Sequence, residues 1–567
     1  MADTEMPYSF VTVIADQLLC LVSPLITNFV SLQTGNVVGS ITNPSSEAAA
    51  RCAAAIQVPS ASTSSNERLD CLVALACDNK ELSVYRLQFD QASVQNASLV
   101  KIWSHSMPKR VSKIQWEEDS SEVEKRIVIG DRHGDVRSYI VPISEDELSE
   151  PQAKRQKVEE SNGEDSKNAE QKMEDEEDSG TLHVGHVSYL TDFVLSSFTS
   201  NPPENTPASF LITSDRDEHI RISRWGNRRA GYIALRYLLG STQAIGGICA
   251  IEGSLWQAVQ SSKLLNERGE NASQFPFLIS ADLSTLRIWS LHPDSKSKGR
   301  KDCLAAVSLE EALLPYVIVD SKKERKRDQM FGKGKVRVPR NEQGAPILTN
   351  GVDHVPLIIP IITKIRAFID PTGQSQLVFT VDGGKALFVI SLASLISASN
   401  SDEVIKALKP LETPLPILEY TIHQHDAITD VWMVLDVRRE FVSDESMSKK
   451  PIALARWNEA QGGLSFISKD QHPILQSGAL ALKASWDDAS GMVLYDALTM
   501  FTKRDFEYSE SVDVISQDGL IKGGLPNHET PGRPASTTNK DQSEKVTRRR
   551  ELAREEMKKR IESTLNK

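Results

Sequence analysis

Along most of the chain, apolar and polar residues alternate over runs of about four to eight positions rich in Val, Ile, Leu, Phe, Tyr and Trp, the period of half-buried strands. Asp, Gly, Asn or Ser closes each run, as in Phe10 to Ile14, Leu72 to Ala76, Val136 to Val141, Ile220 to Trp225, Leu286 to Ser290 and Ala386 to Ile390. Helical periodicity is nearly absent until the C-terminal end. The pattern predicts an all-β chain.

The runs recur as a unit: a strand ending in a small residue, a tight polar turn, then a strand ending in an aromatic or its substitute. It occurs at residues 76–85, 130–139, 213–223, 280–289 and 380–389, and more faintly from Phe29 to Val38. Repeated hairpins of this kind mark a WD-repeat β-propeller, in which each blade is a four-stranded antiparallel sheet of about 40–45 residues. Seven blades are expected, near 8–44, 70–100, 101–142, 182–228, 236–291, 355–395 and 420–470. Gly185-His186 introduces the clearest blade, and its hairpin turn offers Asp217 as the carboxylate for His186. A buried imidazole and carboxylate must satisfy each other, so the pair reads as structural. Asp131 and Trp289 are expected to hold comparable places in their own blades.

The remaining length lies in stretches of different composition. Residues 44–68 are Ala/Ser-rich, 143–180 acidic, 292–303 Lys/Ser-rich and 321–353 basic with glycines; all four predict disordered insertions of a propeller spanning 1–520. A Gly/Pro/Thr-rich linker, 521–543, precedes a charged C-terminal helix at 544–567.

Charge sharpens this division. The chain carries 65 Lys plus Arg against 77 Asp plus Glu, a net −12. Glu145 to Asp178 alone holds fourteen acidic and five basic residues, a local −9 that leaves −3 for the rest. A uniformly basic nucleic-acid clamp is thereby excluded. The cysteines Cys20, Cys52, Cys71, Cys77, Cys249 and Cys303 form no C-x-x-C, which argues against a zinc ribbon or a secreted disulfide framework. The N-terminal residues lack the basic start of a signal peptide, and no run approaches the roughly 20 apolar residues of a membrane span. A soluble intracellular protein is expected.

Reactive motifs do not emerge. The sequence has no Gly-x-Ser-x-Gly elbow, no phosphate-binding Gly-x-x-x-x-Gly-Lys-[Ser/Thr] and no His-Glu-x-x-His. Asp382-Gly-Gly-Lys falls where a propeller hairpin turns. His423 and His425, two apart on a strand, face one way and are potential metal ligands, yet no carboxylate or cysteine cluster neighbours them in sequence, which favours a structural role. No catalytic, cofactor-binding or metal-ligating set is therefore assigned. Lys154-Arg155-Gln156-Lys157 has the character of a nuclear import signal. Ser214 to Arg224 crowds Asp215, Arg216, Asp217, Glu218, Arg221 and Arg224 around one hairpin. Alternation sets Arg221 with Ser223, away from Ile220 and Ile222, and so toward a salt bridge or a partner.

The segments Gly185-His-Val-Ser-Tyr-Leu-Thr-Asp192, Phe210 to Ser223 and Tyr237-Leu-Leu-Gly240 resemble the WD-repeat non-catalytic subunit of the eukaryotic tRNA (guanine-N7-)-methyltransferase. Asp131 to Tyr139 is similar to another segment of that family. A departure is Gly240-Ser241, where the family has Gly-His, so the fifth blade is expected to lose its capping imidazole. The resemblance implies a nuclear, non-enzymatic subunit of a heterodimer that needs no cofactor of its own and touches no membrane. Its partner is a separate S-adenosylmethionine-dependent subunit forming N7-methylguanosine in the variable loop of tRNA. Carried over, Arg221 contacts an acidic residue of that subunit, and Asp215, Arg216 and Arg224 organise the rim. Lys109 and Arg110 are candidates for the same face or for tRNA phosphate. The rival expectation is a scaffold of another nuclear complex, a chromatin or ubiquitin-ligase adaptor.

Overall fold

The computed structural model describes residues 4–6, 8–42, 49–58, 68–90, 97–117, 124–143, 180–197, 209–216, 219–226, 233–241, 244–260, 277–291, 303–317, 360–398, 400–437, 450–477 and 482–484. All fall within one compact unit, Met1–Lys503. Seven four-stranded antiparallel sheets follow one another in chain order, and together they form a seven-bladed β-propeller. The blades run Phe10–Thr42, Ala50–Ser106, Val111–Gly185, Leu190–Leu238, Ile245–Ser308, Ile362–Glu412 and Ile417–Phe466. In each the first strand lies innermost, beside the first strands of the adjacent blades.

Alternation explains how the blades stack. In blade four, Ile212, Ile220, Ile222 and Leu238 point toward blade five and pack with Ile245, Ile248, Leu278 and Trp289. The opposite face presents Phe193 and Leu211 to Val128, Val136 and Val184 of blade three. Blades five and six share a further layer, with Ile279, Leu286 and Ile288 against Ile365, Leu377 and Phe379. Buried Glu419 on the inner strand of blade seven meets Lys364 at 2.7 Å and Arg366 at 3.5 Å on that of blade six. Burial works to raise the Glu419 pKa, but the two cations outweigh it and hold the carboxyl below its usual range.

The ring closes where blade seven meets blade one. Val11, Leu19, Leu21 and Val30 pack there with Trp432, Val434, Ile452 and Leu454. Each blade takes its four strands from consecutive sequence, so no strand is exchanged at the closure. Thr4–Met6 pairs antiparallel with Leu482–Ala484 and brings the two ends of the propeller together.

The expected boundaries need correction in several places. Ala50–Val58, inside the stretch assigned to a disordered insertion at 44–68, is the inner strand of blade two, with Ala50, Cys52 and Ala53 buried. Small side chains fit there because inner strands converge toward the axis, which removes the bulky apolar signal of a strand. Ser98–Ser106 is the outer strand of blade two rather than the start of blade three, and Thr181–Gly185 completes blade three rather than opening blade four. Cys303 begins the outer strand of blade five. Most of 143–180 and 292–303, all of 321–353, the linker at 521–543 and the helix at 544–567 lie outside the described residues. Among the described residues no helix is long and apolar enough to cross a membrane.

Candidate partner-binding rim

His186 follows the outer strand of blade three and turns into blade four. Its Nδ1 donates to Asp215 Oδ2 at 3.0 Å and its Nε2 meets Thr213 Oγ1 at 2.7 Å. A carboxylate only accepts, so Nδ1 carries the proton of that bond. Asp215 Oδ1 accepts the backbone N–H of His219 at 3.0 Å and thereby closes the hairpin turn. Burial works to raise the Asp215 pKa, but the bonds from His186 and His219 outweigh it and keep the carboxyl below its usual range. The carboxylate expected of Asp217 is thus supplied by Asp215, while Asp217 lies outside the described residues. Asp215 is only 4% exposed, which makes it an internal strut of the rim and not a surface contact.

The flanking blades use variants of this device. Asp131 Oδ1 accepts the backbone N–H groups of His133 at 2.7 Å and Asp135 at 3.2 Å. Gly134, at φ +105°, lets that turn lie against blade four, since a Cβ there would sit 2.5 Å from the Ser188 carbonyl. In blade five, fully buried Trp289 donates from Nε1 to Ser280 Oγ at 2.9 Å, and Ser280 bonds Asp282 at 3.0 Å. The Ser241 hydroxyl donates to the other Asp282 oxygen. The absent imidazole is therefore replaced by a hydroxyl, and the Asp keeps its partner.

These turns assemble one continuous edge. Arg132 N donates to Arg110 O at 3.2 Å, bringing the loop of Lys109 and Arg110 against the blade-three hairpin. His133 and Tyr189 lie 6.3 Å apart, and Arg216 stands over the Tyr189 ring at 5.0 Å with its backbone N–H on Tyr189 O at 2.9 Å. Lys109, Arg110, Tyr189 and Arg216 thus share the rim of blades three and four, where Val187 is fully exposed.

Arg221 and Arg224 sit elsewhere. Arg221 lies in the third strand of blade four, opposite Thr213 and Tyr237, half-buried on the side facing blade three, and its Nε donates to Ser223 Oγ at 3.0 Å. Ser223 occupies the place that Trp289 fills in blade five, and the smaller side chain leaves room for the guanidinium. Arg224 ends that strand, opposite Phe210, about 13 Å along from the turn at a strand's rise. It cannot organise the Asp215 rim as expected. Its neighbour Trp225 donates to Glu117, which also pairs with Arg126 at 3.0 Å.

Two features escaped the sequence reading. His183, buried between Ser138 and Trp225, has its pKa lowered to about 4, chiefly by burial and then by Arg126. Ile233, Leu235, Tyr237 and Leu239 are all exposed along the outer strand of blade four. Their strict period of two is the signal that was available.

The family model for the tRNA methyltransferase TRM82 WD40 domain matches residues 40–256. The tRNA (guanine-N(7)-)-methyltransferase non-catalytic subunit trm82 of Aspergillus clavatus is 27% identical over 202 residues, covering 31% of this chain and 38% of that protein. Its counterpart in Lodderomyces elongisporus is 29% identical over 201 residues, covering 35% and 38% respectively. The chain spans less than two-fifths of the length of either relative. Among solved structures, the β-propeller domain of Cps50 (Swd1) from Myceliophteria thermophila aligns at 8% identity with a TM-score of 0.34, over 76% of this chain and 96% of that one. The matched segment contains blades two to four with Lys109, Arg110, Tyr189, Arg216 and Arg221, and over that segment the chain is similar to the WD-repeat non-catalytic subunits of tRNA (guanine-N7-)-methyltransferase.

Proposed function

We propose that this propeller is the non-catalytic subunit of a nuclear tRNA (guanine-N7-)-methyltransferase. In this reading it binds and stabilises a separate S-adenosylmethionine-dependent subunit that forms N7-methylguanosine in the variable loop of tRNA. The observation that carries the reading is that the family match and the basic, aromatic edge of blades three and four coincide in residues 40–256. The thiols fit a non-catalytic role: burial pushes Cys20, Cys71 and Cys249 up to about 12, which leaves them protonated and weakly nucleophilic at neutral pH. Arg221 is the residue assigned to an acidic side chain of the catalytic subunit, with Arg216, Lys109 and Arg110 on the neighbouring rim for the partner or for tRNA phosphate.

The test is affinity capture of the full chain from nuclear extract, scored for a co-purifying methyltransferase and for N7-methylguanosine formed on added tRNA. Wild type should bring both down, and Arg221→Glu should lose them while keeping its thermal midpoint. Capture of chromatin or ubiquitin-ligase components without methyltransferase would overturn the reading in favour of another scaffold.

A further inference from the structure

We propose that His423, His425 and Asp430 of blade seven form a site for a divalent transition metal, with zinc the ion their chemistry suits best, and that Asp16 of blade one holds His423 as an outer partner. Bound there, the ion would staple the last blade to the first.

The donors converge for reasons of register. His423 and His425 lie two apart on the inner strand of blade seven, so both point to one face, and Asp430 stands directly across from His423 on the next strand. That face looks toward blade one, as the packing of Trp432 and Val434 in the same strand against Val11 and Leu19 requires. Asp430 supplies the carboxylate from the paired strand, and Asp16 of blade one, 407 residues from His423, bonds His423 from outside that set.

The distances suit a metal. One donor atom from each of His423, His425 and Asp430 lies within 4.8 Å of the others. His423 Nε2 is 3.1 Å from Asp16 Oδ1, and His425 Nε2 is 3.7 Å from Asp430 Oδ2. Tetrahedral zinc with bonds of about 2.0–2.1 Å sets its ligands roughly 3.3 Å apart, close to the His425–Asp430 separation. The imidazole rings stack at 4.6 Å, which sets two nitrogen donors side by side. Arg456 grips Asp430 through Nε to Oδ1 at 2.7 Å and Nη2 to Oδ2 at 3.0 Å. That grip fixes the carboxylate as an outer partner fixes a metal ligand, and the oxygen facing His425 retains a lone pair. Access is open: Asp16 is 70% exposed and His425 31%.

A staple at this seam has a clear use. The closure lacks the shared strand that would bind the two end blades covalently in sequence, and it rests on apolar packing, the His423–Asp16 bond and the short sheet of the chain ends. An ion bound only by the closed ring stabilises it by mass action.

The experiment is calorimetric titration of the full chain, stripped with chelator, with Zn²⁺ against a Mg²⁺ control. It is paired with the absorption spectrum of the Co²⁺ form and with thermal unfolding. The expectation is saturable Zn²⁺ binding, weakened at least about tenfold in His425→Ala and in Asp16→Asn, both at partly exposed positions. Co²⁺ should show a tetrahedral d–d band with no thiolate charge-transfer band, and Zn²⁺ should raise the thermal midpoint of wild type above its effect on either variant. Absence of saturable binding, an isotherm unchanged by His425→Ala, or a thiolate band would overturn the site. Binding indifferent to Asp16→Asn would overturn the staple.

Discussion

Thr213 carries more than its size suggests, because its hydroxyl is the partner of His186 Nε2 inside a turn where water has little access. Thr213→Val keeps the shape and removes that partner, leaving a buried ring nitrogen unsatisfied, and should cost about 1–3 kcal/mol in urea unfolding. Arg216→Ala removes the cation over the Tyr189 ring, a contact worth about 0.5–1 kcal/mol. His183 adds a pH dependence. Its folded pKa, about 4, lies below the ordinary value of 6.5, so the unfolded chain binds the proton first. Its contribution is therefore fully present above pH 6.5, falls as pH drops from there toward 4, and is constant below, a change of about 3 kcal/mol at most. His183→Gln should flatten the thermal midpoint between those pH values. Much of this turn chemistry was legible, since Thr213-Ser-Asp215 and Ser280-Ala-Asp282 occupy the same places in their hairpins. The assignment to Asp217 failed because the blade-four turn holds one more residue than that of blade five, and distance along the turn misled where strand register decides.

At the scale of strands, the repeated hairpin was readable because its outer parts keep strict alternation and aromatic ends. The inner strands were harder. They approach the axis, where space is short, and so use Ala in blade two and Gly in blade five. Gly246 shows how short that space is: a Cβ there would stand 2.0 Å from the backbone oxygen of Ile362, on the adjoining inner strand of blade six. Backbone cannot swing aside as a side chain does, so Gly246→Ala must push the two blades apart. We expect a loss of about 1–3 kcal/mol, seen as a lower denaturant midpoint with an unchanged slope. The rim was only partly legible for a related reason. Arg216 and Lys109 meet on one edge because loops from two blades converge there, a proximity that no local pattern records.

For the molecule as a whole, the decisive feature is a ring closed without a shared strand between its first and last blades. Trp432 is the largest side chain in that seam, fully buried among Val11, Leu21 and Val30 and set edge-on to His472 at 4.9 Å. Trp432→Ala should cost about 3–5 kcal/mol, similar in size to Trp289→Ala between blades four and five. The two variants should nevertheless differ in where the ring gives way. Opening the seam turns the ring into a stack in which blades one and seven each lose one neighbour while blades two to six keep both, so native-state hydrogen exchange should accelerate first in Phe10–Thr42 and Ile417–Phe466. Trp289→Ala should instead loosen Leu190–Leu238 and Ile245–Ser308. If both variants lower protection evenly around all seven blades, the propeller opens as one cooperative unit, and a closure without a shared strand is as firm as any contact inside it.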